Sequence, residues 1–443
     1  MKKAIISSLC TLALAFSINT TSKAEGIKQT RIYGMDRYET SSKIATAYSK
    51  DEINSIVVAS GRNFPDALSG SVLSKKLNCP ILLMDKDFNN SKVSVEYIKT
   101  HLNKSGTVYI LGGEGSIEGS FVKHLNSLGY KNIERLYGKD RFFTNKAIVD
   151  YLNVKEGTPV ILANGNNFPD ALSVSSAAAC KGYPIVLTNT DNIPNAGEIL
   201  LKNLKPSTVY IIGGVGSFSD KNVSNLKNML PYLNDKNLVR IQGKDRYETS
   251  MNVCKYFSLD SNAVFISSGR NFPDALSGSA LAAKYNSPVL LVDDNHIRPQ
   301  KAYLDSSKYN LQFMLGGLGS VSYSSQNILG GNEYFSEKAQ QQEGAISISP
   351  RHVYYDNDGT LVMEAYVHNG FNYDVHDIKV SGIELKDRNE EIITSGYFGV
   401  LNNLTLKSGE TKFWIFRFLG NTTKVKNADI TYLQWKTIYE YSK

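Results

Sequence analysis

An internal threefold repeat constrains this chain more than any other feature. RIYGMDRYETS at 31–41 returns as RLYGKDRFFTN at 135–145 and as RIQGKDRYETS at 240–250. Asn-Phe-Pro-Asp-Ala-Leu-Ser begins at Asn63, Asn167 and Asn271, and Gly-Gly-x-Gly-Ser at Gly112, Gly213 and Gly316. A Pro-apolar-apolar-Leu block starts at Pro80, Pro184 and Pro288. Four blocks in one order, spaced by 101–105 residues, mean three copies of one supersecondary unit stacked in series. The chain's 443 residues accommodate about three domains at roughly 150 residues each.

Within each copy, short β-branched runs such as Ser55–Ser60, Pro80–Met84 and Thr107–Gly112 alternate with amphipathic stretches such as Asp36–Lys50 and Val93–Asn103. Strands apolar on both faces and separated by helices predict an α/β unit with a parallel sheet covered on two sides. The copies span 25–130, 131–235 and 236–333. A polar, glutamine-rich stretch at 334–344 reads as a linker. From 345 to 443, alternating segments such as LVMEAYVHN and KFWIFRFL, broken by turn signals, predict a separate antiparallel β-sandwich. Asp356-Asn-Asp-Gly359 lacks the later carboxylates of a calcium loop and reads as a hairpin turn.

Residues 1–24 carry Lys2 and Lys3, an apolar run from Ala4 to Ile18, and small residues Ser22 and Ala24 where a signal peptidase would read them. This predicts a cleaved secretory signal. The run is shorter than the ~20 residues needed to span a bilayer, and no later segment approaches that length, so no transmembrane segment is expected. A chain starting at Glu25 keeps Cys79, Cys180 and Cys254, an odd number that argues against a disulfide framework and for small buried hydrophobes. Without Lys2, Lys3 and Lys23 the formal charge of +7 falls to +4, with no basic run, which disfavours nucleic acid as a partner. An anionic partner must be met by individually placed arginines.

Three blocks carry candidate chemistry. In Asn-Phe-Pro-Asp-Ala-Leu-Ser a strand ends and a helix begins. Pro65 suits the first helical turn, and Asp66 meets the positive end of the helix dipole. That accounts for the block as a helix start; alternatively its N–H groups, with Asn63, Asn167, Asn271 and Ser69, hold sugar hydroxyls or an anion. Arg62 and Arg270, with Asn166 in the middle copy, flank it as exposed ligand candidates. In Gly-x-Asp-Arg, Asp36 and Asp245 cap helices, and Glu39 and Glu248 complete a capping-box pattern that Phe143 breaks in the middle copy. Capping leaves Arg37, Arg141 and Arg246 unexplained, because a cation in the first helical turn opposes the dipole by ~0.3–1 kcal/mol. Either an ion pair with the neighbouring unit or a phosphate, carboxylate or pyruvyl group on a polymer compensates them.

Gly-Gly-x-Gly-Ser matches neither nucleotide-binding glycine pattern, so no nucleotide cofactor is expected. Its Ser116, Ser217 and Ser320 read as helix caps. The histidines (His101, His124, His296, His352, His368, His376) take no equivalent positions in the repeats. No metal-ligand spacing or nucleophile elbow occurs, so the reading is a non-enzyme without cofactor or metal.

The four blocks in three tandem copies behind a signal peptide resemble the clostridial cell-wall-binding repeat type 2 family, over roughly residues 27–333. The resemblance implies three Rossmann-like subdomains in pseudo-threefold arrangement that hold an anionic wall polysaccharide non-covalently. It also implies an anchoring role for the Ile-Leu-Leu segment, which stands here as Ile81-Leu82-Leu83, Ile185-Val186-Leu187 and Val289-Leu290-Leu291. From the residues alone these nine read equally well as buried strand. Residues 345–443 resemble the β-domain of surface-layer-associated proteins, which implies a surface module able to meet other surface or host proteins. The expectation is a secreted protein on a Gram-positive wall, attached by avidity of three sites. The alternatives are an autolysin or modifier of a wall hydrolase, and an adhesin or surface-layer assembly protein.

Overall fold

The computed structural model describes residues 27–442 apart from 66–67, 295–296, 332–340, 357–358, 388–390, 403, 421, 424–429 and 431–432. The signal segment 1–24, Asp66, His296 and most of the linker therefore lie outside the described residues.

Each copy runs through four strands and four helices. The first comprises β1 (Lys28–Ile32), α1 (Arg37–Tyr48), β2 (Ile53–Ser60), α2 (Gly70–Leu77), β3 (Ile81–Met84), α3 (Lys92–His101), β4 (Leu102–Leu111) and α4 (Gly119–Ser127). The second comprises β5 (Asn132–Leu136), α5 (Arg141–Leu152), β6 (Val160–Asn164), α6 (Pro169–Lys181), β7 (Ile185–Thr188), α7 (Asn195–Leu204), β8 (Val209–Ile212) and α8 (Asp220–Met229). The third comprises β9 (Leu238–Ile241), α9 (Arg246–Phe257), β10 (Ala263–Ser268), α10 (Pro273–Lys284), β11 (Val289–Val292), α11 (Ile297–Asp305), β12 (Leu311–Leu315) and α12 (Tyr323–Gly330).

The sheets are parallel and offset from the sequence copies by one strand. Their orders are β3-β2-β4-β5, β7-β6-β8-β9 and β11-β10-β12-β1. The first strand of each copy thus completes the sheet of the copy before it, and β1 closes the ring on the third, pairing Lys28 with Leu311 through Ile32 with Leu315. As a result, the Gly-x-Asp-Arg block that follows each of these strands lies beside its neighbour's loops as well as its own.

The three units share one core. α2, α6 and α10 meet at its centre. Pro169 through Ala179 of α6 are all buried, and the run Ser-Val-Ser-Ser-Ala-Ala-Ala is small enough for helices to approach closely. Ser71 Oγ donates to the Ser175 carbonyl at 2.9 Å across this contact. Phe64, Phe168 and Phe272, one from each unit, form a triangle with ring centroids 5.6–6.0 Å apart, largely edge-to-face as aromatic quadrupoles prefer. At the other end of these helices Lys76 donates to the Leu152 carbonyl and Lys284 to the Tyr48 carbonyl, where they satisfy the C-terminal turns of α5 and α1 in adjacent units.

The C-terminal region contains β13 (Ile346–Tyr355), β14 (Leu361–Asn369), β15 (His376–Lys386), β16 (Ile392–Gly396), β17 (Gly399–Val400), β18 (Thr411–Phe418) and β19 (Gln434–Ser442). β13-β14-β18 face a second antiparallel sheet, in which β15 pairs with β16, β17 and β19. Val353, Met363, Ile378, Ile383, Phe416 and Phe418 belong to its own core. The sandwich has a core of its own but is joined to the repeats. Thr30 of β1 pairs with Tyr355, so one seven-stranded sheet runs from the third unit into the sandwich. Asn327 of α12 reinforces the joint, donating to the Arg351 carbonyl at 2.7 Å and meeting His352 Nδ1 at 2.6 Å. Burial, with Arg31 and Arg351 nearby, pushes the His352 pKa well below its ordinary value, so this imidazole is neutral.

Cys79, Cys180 and Cys254 are free thiols, and burial raises the pKa of Cys79 and Cys254 to about 12. Among the described residues no helix is long and apolar enough to cross a membrane.

Candidate functional site

The repeated blocks come together at the junctions between units. Asp36, Asp140 and Asp245 cap α1, α5 and α9, each accepting from two backbone N–H groups at 2.8–2.9 Å. Glu39 and Glu248 reach back to the N–H of Met35 and of Lys244, one residue before the cap. The arginine after each cap donates to a glycine carbonyl at the end of its own unit's second strand: Arg37 to Gly61 at 2.6 Å, Arg141 to Gly165 at 2.9 Å and Arg246 to Gly269 at 2.8 Å. Each does so through one terminal nitrogen, which leaves most of the fork's donors for other partners. Arg37 is exposed; Arg141 and Arg246 are half-buried.

These arginines also face the preceding unit. Arg246 lies over the Phe168 ring at 5.8 Å and acts electrostatically on Asp170; Arg37 lies over Phe272 at 5.9 Å and acts on Asp274. For Arg37 and Arg246, compensation by the neighbouring unit is therefore present in the fold. Burial raises the pKa of both aspartates above the ordinary carboxylate value, against the opposing pull of the serine hydroxyls and arginines.

The serines correct an expectation. Ser217 and Ser320 do not cap the following helices, which begin three residues later with Ser219 and Ser322 as caps. Instead Ser217 Oγ donates to Asp170 Oδ2 at 2.5 Å and Ser320 Oγ to Asp274 Oδ2 at 2.6 Å. The buried carboxylate draws the hydroxyl inward. Gly213 and Gly316 hold φ at 100° and 93°, and a Cβ at either would collide with that carboxylate, so both position and conformation demand glycine there. The first arginine of each repeat was not singled out from sequence, although it is identical in all three copies. Arg31, Arg135 and Arg240 donate to the carbonyls of Gly316, Gly112 and Gly213 at 2.8–3.0 Å and fasten each glycine turn to the next unit's first strand.

Between the first and second units these groups enclose a cleft of about 430 Å³. Asn63, Phe64 and Pro65 line it with Gly113, Gly115 and Ser116 on one side, and Lys139, Asp140, Arg141 and Thr144 line it on the other. Three of the four sequence blocks thus contribute to one cavity, drawn from two copies.

The other candidates are placed differently. Arg62 pairs with Asp85 at 2.6 Å, and Tyr38 donates to the same oxygen at 2.6 Å. Burial opposes the charge on Asp85, yet Tyr38 and Arg62 hold its pKa below the ordinary value, while burial and Asp85 push Tyr38 up to about 12. Arg270, Asp293 and Tyr247 repeat the cluster in the third unit, with Arg270 Nε 3.5 Å from Asp293. In the middle unit Asn166 donates to Asn189 at 2.7 Å, and Phe142 stands where the tyrosine does. Asn167 and Asn271 are exposed, as is Asn63. Ser69 is buried; its equivalents Ser173 and Ser277 donate to carbonyls of their own helices, a structural use. Ile81-Leu82-Leu83, Ile185-Val186-Leu187 and Val289-Leu290-Leu291 are at most 1% exposed. Their side chains are core.

The family comparison decides what these junctions belong to. Cell wall binding domain 2 (CWB2) matches residues 31–122, 135–223 and 240–326. The chain belongs to this family. A SLAP domain matches 321–441. The chain is 28% identical over 311 residues to the N-acetylmuramoyl-L-alanine amidase LytC of Bacillus subtilis (strain 168), a match covering 70% of this chain and 59% of that protein. It is 29% identical over 309 residues to the amidase enhancer of the same organism, covering 69% and 41%. The chain therefore spans less than two thirds of the length of either relative. Cwp6 and Cwp8 from Clostridium difficile share the fold. Their TM-scores are 0.63 and 0.59 at 24% and 22% identity; the matches cover 78% and 70% of this chain and 57% and 52% of theirs. Three CWB2 repeats mark a wall-associated protein.

Proposed function

We propose that this is a secreted, non-catalytic surface protein whose three repeat junctions hold an anionic wall polysaccharide while the SLAP domain is displayed beyond them. The observation that carries the reading is the assembly of the cleft between the first and second units from blocks of two successive copies. Arg37, Arg141 and Arg246 stand at helix N-termini that themselves favour anions. Lys139 is added at the first junction, and the exposed Asn63, Asn167 and Asn271 offer amides to sugar hydroxyls. Arg62, Arg270 and Asn166 lie next to these blocks, the two arginines already charge-matched by Asp85 and Asp293, so they rank below the junction arginines as ligands. Three weak sites on one rigid body slow release far more than any one of them could.

The test replaces Arg141 and Arg246 by Gln in the full chain and measures retention on purified walls of the producing bacterium. Loss of two charge-assisted contacts should weaken retention by about tenfold or more; unchanged retention would contradict the reading. The likeness to an amidase enhancer supports a second role, modulation of a wall hydrolase. In a wall-turbidity assay the protein alone should leave walls intact, and should change the rate only when an amidase is present.

A further inference from the structure

The three junctions repeat the same blocks but differ in the residues beside them. The residue after each first strand is Tyr33, Tyr137 or Gln242, and it lies against the second glycine of the neighbouring turn. A Cβ on Gly317 or Gly113 would sit 3.9 or 3.8 Å from the tyrosine Cδ2, and one on Gly214 would sit 3.3 Å from Gln242 Oε1. Two positions further on stand Met35, Lys139 and Lys244, all exposed. The variable residue of the glycine turn is Leu318 beside the first set, Glu114 beside the second and Val215 beside the third. The closing junction, between the third and first units, therefore collects Tyr33, Met35 (98% exposed) and Leu318 around Arg37. The junction between the second and third units instead adds Lys244 to Arg246.

Singly exposed apolar residues are ordinary. Three at one junction, where each of the others has a single exposed apolar residue, Tyr137 or Val215, form a patch of the kind that marks binding. Methionine and tyrosine present apolar surface that adapts to a ligand, and tyrosine adds a polar tip.

We infer that the junctions divide the work: the closing junction takes an uncharged pyranose unit by its apolar face, and the other two take the anionic groups. This rests on the wall-polysaccharide reading above and goes beyond it by assigning different ligand chemistries to the junctions. The two kinds of contact respond differently to salt, because screening weakens charge contacts and spares apolar ones.

The experiment measures retention of the full chain on purified walls of the producing bacterium across a salt series, for the wild type and for two variants altered only at exposed side chains. Met35→Ser with Leu318→Ser should lower affinity three- to tenfold at every salt concentration and leave the salt dependence unchanged. Lys139→Gln with Lys244→Gln should flatten the salt dependence and converge with the wild type at high salt. Equal salt dependence in all three proteins, or no effect of the Met35–Leu318 pair, would overturn the division even if the wild type binds. A wild type that ignores walls altogether would remove the underlying reading as well.

Discussion

The middle repeat and its two flanking repeats use the same scaffold with different electrostatics. In the flanks a carboxylate at the end of the third strand of the unit gathers a tyrosine hydroxyl and an arginine: Asp85 with Tyr38 and Arg62, Asp293 with Tyr247 and Arg270. In the middle all three positions change together, to Asn189, Phe142 and Asn166. A buried charge is costly unless it is paired and hydrogen-bonded, whereas a fully neutral set of similar shape costs little. The cluster is therefore exchanged as a set, and the backbone around it stays the same.

The largest effect should come from removing the carboxylate. Asp85→Ala deprives Tyr38 and Arg62 of their shared acceptor and should lower stability by about 1–3 kcal/mol, whereas Asn189→Ala in the middle repeat should cost less than about 1 kcal/mol. Denaturant midpoints measure both. Next, Asn189→Asp alone places a carboxylate in the middle repeat without the tyrosine hydroxyl and the arginine that serve Asp85, and should destabilise by about 1–2 kcal/mol. Adding Phe142→Tyr and Asn166→Arg should recover at least half of that loss, a non-additivity that simple independence would not produce. If the triple variant is as unstable as the sum of its parts, the exchange is not cooperative.

A subtler contrast separates two kinds of aspartate by pH. The Asp85 pKa is lowered in the folded state, so its contribution is present above the ordinary carboxylate value and is lost as pH falls through the lowered one. The Asp170 and Asp274 pKa values are raised, so these groups weigh against the fold at neutral pH, and the burden lifts as pH falls through the raised value towards the ordinary one. Asp85→Asn should thus lower the Tm at pH 7 and Asp170→Asn should raise it slightly, both differences shrinking in acid. A lower Tm for Asp170→Asn at pH 7 would mean that its pairing with Arg246 outweighs burial. Retaining a raised carboxyl at this position fits a group kept for the junction rather than for stability.

The sequence made the repeat, the parallel α/β units and the C-terminal sandwich readable, because periodic apolar strands and recurring blocks are local signals. The capping aspartates Asp36 and Asp245 were readable for the same reason, since they act on N–H groups two and three residues away, as Asp140 also does in the middle copy. What escaped was set by the closure of the ring. Nothing local tells that β1 joins β12, 283 residues away in the pairing of Lys28 with Leu311, or that Ser217 and Ser320 of the glycine turns face buried aspartates rather than their own helices. The joint between β1 and β13 was hidden likewise, since a polar linker between two patterns looks like separation.

The most direct test of the junction-cleft account is retention of the full chain on purified walls before and after acid extraction of their anionic polymer, at low ionic strength. The account predicts strong retention on intact walls, weakened by added salt, and loss on extracted ones. Equal retention on both would show that the protein grips something other than the anionic polymer, and would contradict the account.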